Sequence, residues 1–351
     1  MRFAVMWMYC ILQAFFMACN NHPEEHLEED NKLPAVDYYI SGTDSGVQLQ
    51  FSNYTLKHTD SFELTINNIK SAYKIVSEQV MVLKKDDLAP GKNMIQFIYK
   101  NGNQNDTVSK IYFNTLTIDY EILRTIPHNH HYFTQGLLFD ETGNLIESTG
   151  LKGESKIIYY RQVPNGFKAQ DSMINPPNEF GEGIALVQGE LIQLLWQNMY
   201  LRLYNKSSRK ALRNLQYKKE GWGICNDGQT IYTSDGSNTI HVIDVSGTDV
   251  QILRSIQIQD ENGAVANLNE LEFINGMIFA NVWQADIICM IDPTTGFVVG
   301  KLDFSSLAAK ENQQNPDVDV LNGIAYNPSK NTILITGKYW AHFYEISLKT
   351  K

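Results

Sequence analysis

Residues 180–196 read FGEGIALVQGELIQLLW. Two apolar runs flank a Gln-Gly turn in this stretch, which is the pattern of two antiparallel strands joined by a short hairpin. Glu182 lies between two glycines where the first run begins. Glycine on both sides lets the backbone bend sharply and leaves the carboxylate free to face a pocket. The stretch therefore predicts a strand pair with an acidic group at its opening.

The same strand and turn pattern recurs along the chain. Its copies begin at Gly136, Gly183, Gly223, Leu271 and Gly323, at intervals of 47, 40, 48 and 52 residues. Each copy contains three or four short strands, and self-similarity at this spacing is typical of β-propeller blades. Because a single blade cannot bury both of its faces, we expect the five blades to close into a ring.

Strand geometry predicts where side chains meet on this ring. In an antiparallel pair the start of one strand lies beside the end of the next, so both positions share one face of the ring. These positions hold Gln135, Glu182, Trp222 and Asn269 at the starts of first strands, and Trp196, Trp283 and Lys338 at the ends of second strands. One rim thus gathers a carboxylate, an ammonium, two amides and three indoles, and it is the candidate active site.

The 351 residues suffice for two domains of an all-β protein. Residues 36–118 show short runs of period-two alternation separated by turns, which predicts an immunoglobulin-like β-sandwich. Residues 119–351 are the predicted five-bladed propeller. Its first strand, 120–126, is expected to pair beside residues 343–346 and close the ring. The formal net charge of -10 disfavours nucleic acid as a partner.

The N-terminus has the pattern of an export signal. Residues 1–19 carry Arg2 and then a short apolar run that ends in Ala-Cys, which resembles a bacterial lipoprotein signal with Cys19 as the lipidated residue. Residues 20–35 are polar and acidic and predict a flexible tether. We expect an exported protein, lipid-anchored to the membrane of a bacterial cell envelope; an ordinary cleaved signal or an uncleaved anchor is the alternative.

Cysteine and histidine patterns give little support for a metal site. Cys225 and Cys289 lie in apolar strand patterns typical of buried free thiols; a disulfide between them stays open, and neither has a CxxC partner. His128, His130 and His131 are close in sequence, but their spacing on an irregular segment does not match a ligand set. No metal site is predicted.

Seven motifs follow one another in the propeller region. They are FTQGL (133–137), ESTGL (147–151), FGEG (180–183), GWG (221–223), LNELE (268–272), NVWQ (281–284) and TGKYW (336–340). In this order they resemble the glutaminyl cyclase family of plant and bacterial type, also called glutamine cyclotransferases, over residues 128–348. The resemblance implies a five-bladed propeller enzyme that converts an N-terminal glutaminyl residue of a peptide to pyroglutamate and releases ammonia, without a cofactor or catalytic metal.

The resemblance also implies roles for individual residues. Glu182 is the expected proton shuttle, with its pKa raised by the surrounding indoles, and Lys338 and Asn269 would hold or polarise the substrate amide oxygen. The remaining substrate-binding residues would be Phe133, Gln135, Phe180, Trp196, Trp222 and Trp283. Glu270 is expected to support its neighbours.

Two other functions are compatible with a propeller of this composition. In a metal-dependent, lactonase-like hydrolase, Glu182 and Asn269 would bind a divalent cation in the central channel. In a non-enzymatic binding protein of the envelope, the indole-rich rim would only capture a ligand.

Overall fold

The computed structural model describes residues 35–43, 46–56, 61–101 and 104–349. The predicted signal peptide, the lipidation site at Cys19 and almost all of the predicted tether lie outside the described residues. The described chain contains the predicted two-sheet sandwich followed by five blades, four of which have four strands and one of which is extended by a short fifth strand.

The sandwich consists of two four-stranded antiparallel sheets. The first sheet orders β1 (Tyr38–Thr43), β2 (Gly46–Phe51), β6 (Val80–Lys84) and β5 (Lys74–Ser77). The second sheet orders β4 (Ile69–Lys70), β3 (Phe62–Ile66), β7 (Gly91–Asn101) and β8 (Gln104–Asn114), and a 3-10 turn spans Lys85–Asp87. Alternating residues of both sheets, such as Leu49, Leu64, Met81 and Phe97, bury their side chains in one shared core.

The first two blades follow the chain in order, each as an antiparallel meander. Blade 1 contains β11 (Thr134–Phe139), β12 (Leu145–Thr149), β13 (Lys156–Val163) and β14 (Gly166–Ile174). Blade 2 contains β15 (Phe180–Val187), β16 (Glu190–Trp196), β17 (Tyr200–Asn205) and β18 (Ala211–Gln216).

The other three blades repeat this arrangement. Blade 3 contains β19 (Ile224–Asn226), β20 (Ile231–Ser234), β21 (Thr239–Asp244) and β22 (Gln251–Gln257). A small hairpin of β23 (Gln259–Asp260) and β24 (Gly263–Ala264) precedes blade 4, which contains β25 (Leu268–Ile274), β26 (Met277–Val282), β27 (Ile287–Ile291) and β28 (Val298–Asp303). Blade 5 contains β29 (Leu321–Asn327), β30 (Thr332–Gly337), β31 (His342–Leu348) and β10 (Tyr120–Pro127).

The first strands of the five blades form the inner wall of the ring. Each packs against the first strand of the next blade, and β29 packs back against β11. The approach is close enough that glycine is required: a Cβ on Gly183 would lie 2.8 Å from the Trp222 carbonyl oxygen, and one on Gly223 would lie 2.0 Å from that of Asn269. The recurring glycines therefore mark places where backbones of neighbouring blades meet.

The N-terminal strand of the propeller closes the ring, as predicted. β10 pairs antiparallel with β31, with Ile122 opposite Ile346 and Ile126 opposite Phe343. Ile126 and Phe343 are buried in one apolar cluster with residues of blade 1. The last blade thus combines strands from both ends of the propeller region, which leaves no open joint in the ring.

The junction between the sandwich and the propeller differs slightly from the predicted boundary at residue 118. A short strand, β9 (Leu116–Thr117), pairs in parallel with β28 and so belongs to the sheet of blade 4. Next to it, the Thr115 hydroxyl donates to the Val298 carbonyl, and the rings of Phe113 and Phe297 lie 4.1 Å apart. The two domains therefore meet along the outer edge of blade 4.

One helix, α1 (Ser305–Gln314), was not expected from the sequence. It lies between blades 4 and 5, and its Glu311 is fully buried. The Glu311 carboxylate accepts hydrogen bonds from the Ala341 amide, the His342 ring and the Tyr344 hydroxyl. These hydrogen bonds fix the helix to β31 and to the turn that precedes it.

Candidate active site

One end of the ring encloses a cavity of about 350 Å³. All nine predicted site residues on the propeller line it, together with one that was not predicted. They are Phe133, Gln135, Phe180, Glu182, Trp196, Trp222, Asn269, Trp283 and Lys338, with Asp319 as the addition. Residues from all five blades thus meet in one place, as strand geometry predicts for a single rim.

β-Bulges aim three of the polar side chains at the cavity. The strand register shifts between Thr134 and Gly136, between Gly181 and Ile184, and between Leu268 and Leu271. The residues skipped by the pairing include Gln135, Glu182 and Asn269. A bulge leaves a residue out of the ladder and redirects its side chain, and bulges are frequent next to active sites. Regular strand pairing is therefore interrupted at the positions of these three side chains.

Aromatic rings form the walls of the cavity. Phe180 lies opposite Trp196 in the β15–β16 ladder, and their rings are 5.2 Å apart. Phe133 meets Phe180 edge to face at 6.1 Å, and Trp222 meets Trp283 edge to face at 5.7 Å. Edge-to-face aromatic pairs are energetically favourable, so the five rings pack against one another as they line the cavity.

Glu182 is the buried acid of the site, with 4% of its surface exposed. The Gln135 side-chain amide donates to its Oε1 at 3.2 Å. Burial raises the pKa of Glu182 well above its usual 4.5; the charge of Lys338 opposes this rise, and that of Glu220 adds to it. The carboxyl group is consequently poised to exchange protons closer to neutral pH than an exposed glutamate.

Lys338 is the buried base, also with 4% of its surface exposed. Its Nζ lies 4.5 Å from the centre of the Phe133 ring, within the range of a cation–π interaction. Burial lowers its pKa from 10.5, while the charges of Glu182 and Asp319 act in the opposite direction. The cavity therefore holds an acid and an amine whose pKa values are moved towards each other.

Two polar atoms on the cavity wall have no hydrogen-bond partner among the described residues. They are Oδ1 of Asn269 and Nε1 of Trp222. Buried polar atoms are nearly always paired in folded proteins, since leaving one unpaired costs about 1–3 kcal/mol. The acceptor of Asn269 and the donor of Trp222 are therefore available for a bound ligand.

The profile of the glutamine cyclotransferase family matches residues 94–348, most of the chain. This chain belongs to that family. A glutaminyl-peptide cyclotransferase of Arabidopsis thaliana is 36% identical over 243 residues, which cover 66% of this chain and 72% of the plant protein. The crystal structure of Myxococcus xanthus glutaminyl cyclase matches at a TM-score of 0.61 with 32% identity, covering 67% of this chain and 98% of that one.

Glu270, which was expected to support its neighbours, contacts two other blades through its carboxyl group. One carboxyl oxygen accepts the Leu137 amide of blade 1, and the other accepts the Ile324 amide of blade 5. Burial raises its pKa well above 4.5, and the neighbouring Glu272 adds to the rise. Glu270 lies on blade 4, so its carboxyl group joins three blades next to Asn269.

Three residues near the site were missed by sequence reasoning. Asn322 donates to Oε1 of Gln135 at 3.1 Å, and thereby orients the amide that contacts Glu182. It directly precedes the fifth repeat start, so the rule that found Gln135 would also have found Asn322. Glu220 lies three residues before the repeat start Gly223, the same offset that Phe133 and Phe180 have from their repeat starts, so this offset would have found it. Asp319 lies in a loop outside the repeat positions, and no sequence pattern pointed to it.

His128 and the two cysteines of the described residues are buried. His128 is buried; its ring contacts the Glu147 carboxylate at 3.0 Å and the Trp340 carbonyl oxygen at 2.8 Å. Cys225 and Cys289 are buried free thiols. Within the described residues, His, Cys, Asp and Glu side chains form no group of three that could hold a metal ion.

Over that same part of the chain, no helix has the length and apolar character needed to cross a membrane.

Proposed function

We propose that this chain is a glutaminyl-peptide cyclotransferase that converts an N-terminal glutaminyl residue into pyroglutamate and releases ammonia. Its family membership, its 36% identity to a plant enzyme of that name and its match to a bacterial glutaminyl cyclase support this function. One observation carries the mechanism: a buried carboxyl group with a raised pKa lies in an aromatic cavity that also holds Lys338.

The reaction needs three things from the protein. The neutral α-amine attacks the side-chain amide carbon, so a proton must leave the attacking nitrogen, negative charge on the amide oxygen must be stabilised, and a proton must reach the departing ammonia. A carbon–nitrogen bond forms to close the lactam ring, and the bond to the amide nitrogen breaks.

Glu182 would serve both proton transfers. As a carboxylate it accepts the proton from the attacking amine, and as a carboxylic acid it returns that proton to the leaving nitrogen. A general acid–base works best when its pKa is near the working pH, and burial moves the pKa of Glu182 in that direction. Gln135 fixes the orientation of the carboxyl group through its hydrogen bond to Oε1.

Lys338 and Asn269 would bind the reacting amide. The Lys338 ammonium stabilises charge on the amide oxygen, and burial strengthens that interaction because the surroundings screen it less than water does. The Asn269 side chain can pair with a primary amide, donating through its N–H groups and accepting through the Oδ1 that has no partner among the described residues.

The aromatic walls would fold the substrate onto itself. A glutaminyl side chain has several rotatable bonds, and ring closure requires its amide carbon to approach its own amine. Confinement between Phe180, Trp196 and the facing indoles of Trp222 and Trp283 selects such compact conformers. Holding two reacting groups in attack geometry supplies a large part of the rate enhancement.

The direct test is incubation of a Gln-initiated peptide with the purified protein, followed by mass spectrometry. We expect loss of one ammonia and blockage of the N-terminus, also after exhaustive dialysis against a chelator. Loss of turnover on chelation with recovery on added calcium would favour the metal-dependent hydrolase. Absence of product from several Gln-peptides with different second residues would favour a binding protein.

We further propose export and lipid anchoring through Cys19, which rests on the sequence pattern alone. Metabolic labelling with palmitate in a bacterial host should mark the native chain and leave a Cys19→Ser variant unlabelled. Equal labelling of both chains, or of neither, contradicts the anchor.

A further inference from the structure

Two exposed carboxylates lie at the mouth of the cavity. Asp319 is part of its lining, and Glu220 accepts a hydrogen bond from Nε1 of Trp196 at 2.9 Å. Both side chains are solvent-exposed. Neither gives or takes a proton in the reaction described above, and their charges act there only on the pKa values of Glu182 and Lys338.

The burial of the lining residues defines which end of the cavity is the floor. Gln135 and Asn269 are each 3% exposed, and Glu182 is 4% exposed. Asn269 also presents its Oδ1 without a partner among the described residues, which independently points to a ligand at the floor. A peptide that places its glutaminyl amide there extends towards the exposed end of the cavity, where Asp319 and Glu220 lie.

Neither Asp319 nor Glu220 forms an ion pair within 4 Å with another of the described residues. The ammonium of Lys219, the residue before Glu220, pairs instead with Asp235 at 3.2 Å. A third acid, Glu154, is close enough to act on Tyr339, as Asp319 also does. The entrance therefore attracts positive charge.

We propose that Asp319 and Glu220 form a specificity rim that favours peptides with Lys or Arg directly after the N-terminal glutamine. The inference rests on the proposed function, because it assumes that the glutaminyl residue occupies the cavity. The second residue is the first part of the peptide beyond the reacting centre, so its side chain lies at the mouth. Complementary charge there selects one class of substrate over another.

The experiment compares kcat/KM for three C-terminally amidated peptides that begin Gln-Lys, Gln-Ala and Gln-Glu. We expect the order Lys, Ala, Glu, with a Lys-to-Glu ratio of roughly tenfold at low ionic strength, the size typical of a few exposed charge interactions. The ratio should shrink in about 1 M salt, where the screening length falls to about 3 Å.

Conservative variants isolate the charge. Asp319→Asn keeps the oxygen that accepts the Val320 amide, and Glu220→Gln keeps an acceptor for the Trp196 indole. The double variant should bring the Lys-to-Glu ratio close to one. Asp317→Asn removes one exposed charge from the same segment without touching the cavity lining, and it should leave the ratio close to its native value.

The outcomes separate the two proposals. Cyclisation of all three peptides with equal kcat/KM would overturn the specificity rim and leave the proposed function standing. A ratio that persists in the double variant would also overturn the rim. Failure to cyclise any of the peptides would overturn the proposed function and the rim together.

Discussion

The Glu182 carboxyl group is placed among charges that act on its pKa in opposite directions. Burial and the nearby Glu220 raise the pKa, whereas Lys338 lowers it, and the net effect is a value well above 4.5. Catalysis in the proposed mechanism starts from the carboxylate, so activity must fall as the pH drops through this raised pKa.

The pH profile of kcat/KM gives a first test at this scale. The pH dependence of kcat/KM gives the pKa values of ionisable groups in the free enzyme and in the free substrate. We expect the acid limb to lie well above pH 4.5, and Glu220→Gln to move it to lower pH, because removing a neighbouring negative charge lowers the pKa of Glu182. Because the free substrate amine titrates identically in both experiments, a difference between the acid limbs of the two enzymes arises from the protein. An unchanged limb, or a shift to higher pH, would contradict the assignment of Glu182.

At the scale of elements, the β-bulges and the inner-strand glycines act together. The bulges turn Gln135, Glu182 and Asn269 into the cavity, and the glycines let neighbouring blades approach closely enough for those residues to meet. Gly223 shows the closest approach, since its added Cβ would lie 2.0 Å from the Asn269 carbonyl oxygen.

Gly223→Ala should therefore weaken both fold and function. Overpacking of a closely packed interior typically costs about 1–3 kcal/mol. We expect the free energy of unfolding to fall by that amount, and kcat/KM to fall because Asn269 is displaced. Gly247→Ala is the matched control within blade 3, since its nearest contact would be 3.6 Å away at Asp249. Equal stability and activity of the two variants, measured by denaturant unfolding and peptide cyclisation, would show that the close approach is unimportant.

The sequence predicted the grouping of site residues where their positions in the repeat determine which face of the blade they occupy. The starts of first strands and the ends of second strands share a face in any antiparallel meander, so Glu182, Asn269 and Lys338 could be grouped before the fold was known. The bulges were not predicted, because the repeat positions indicate which residues share a face and do not determine the register of each strand pair. Helix α1 was missed because its sequence, SSLAAKENQQ, has few apolar residues and lacks a clear amphipathic repeat. Asp319 enters the site from the loop that follows this helix.

The whole molecule is held closed by a strand from the start of the propeller. β10 supplies the fourth strand of blade 5, and its Ile126 is buried between blades. The sandwich contributes a smaller contact through β9 and Phe113 at the edge of blade 4. The propeller should consequently depend on residues 120–127 far more than on the sandwich.

Two truncated chains test this dependence. A chain of residues 119–351 keeps β10 and should unfold cooperatively and cyclise Gln-peptides. A chain of residues 128–351 lacks β10, exposes the edge of β31, and should show no cooperative transition in thermal unfolding. Equal stability of the two chains would contradict the role of ring closure. A folded but inactive 119–351 chain would show that the sandwich is needed for catalysis.

A Glu182→Gln variant shows whether the Glu182 carboxyl group carries the proton during ring closure. Glutamine retains the size of the side chain and an oxygen that can accept the hydrogen bond from Gln135, but it cannot exchange a proton. The measurement is kcat for a Gln-peptide, alongside thermal unfolding of both proteins. We expect an unfolding temperature close to that of the native chain and a loss of kcat of about 100- to 10,000-fold, the usual contribution of a general acid–base. A folded variant that retains more than about a tenth of the native kcat would contradict this role of Glu182.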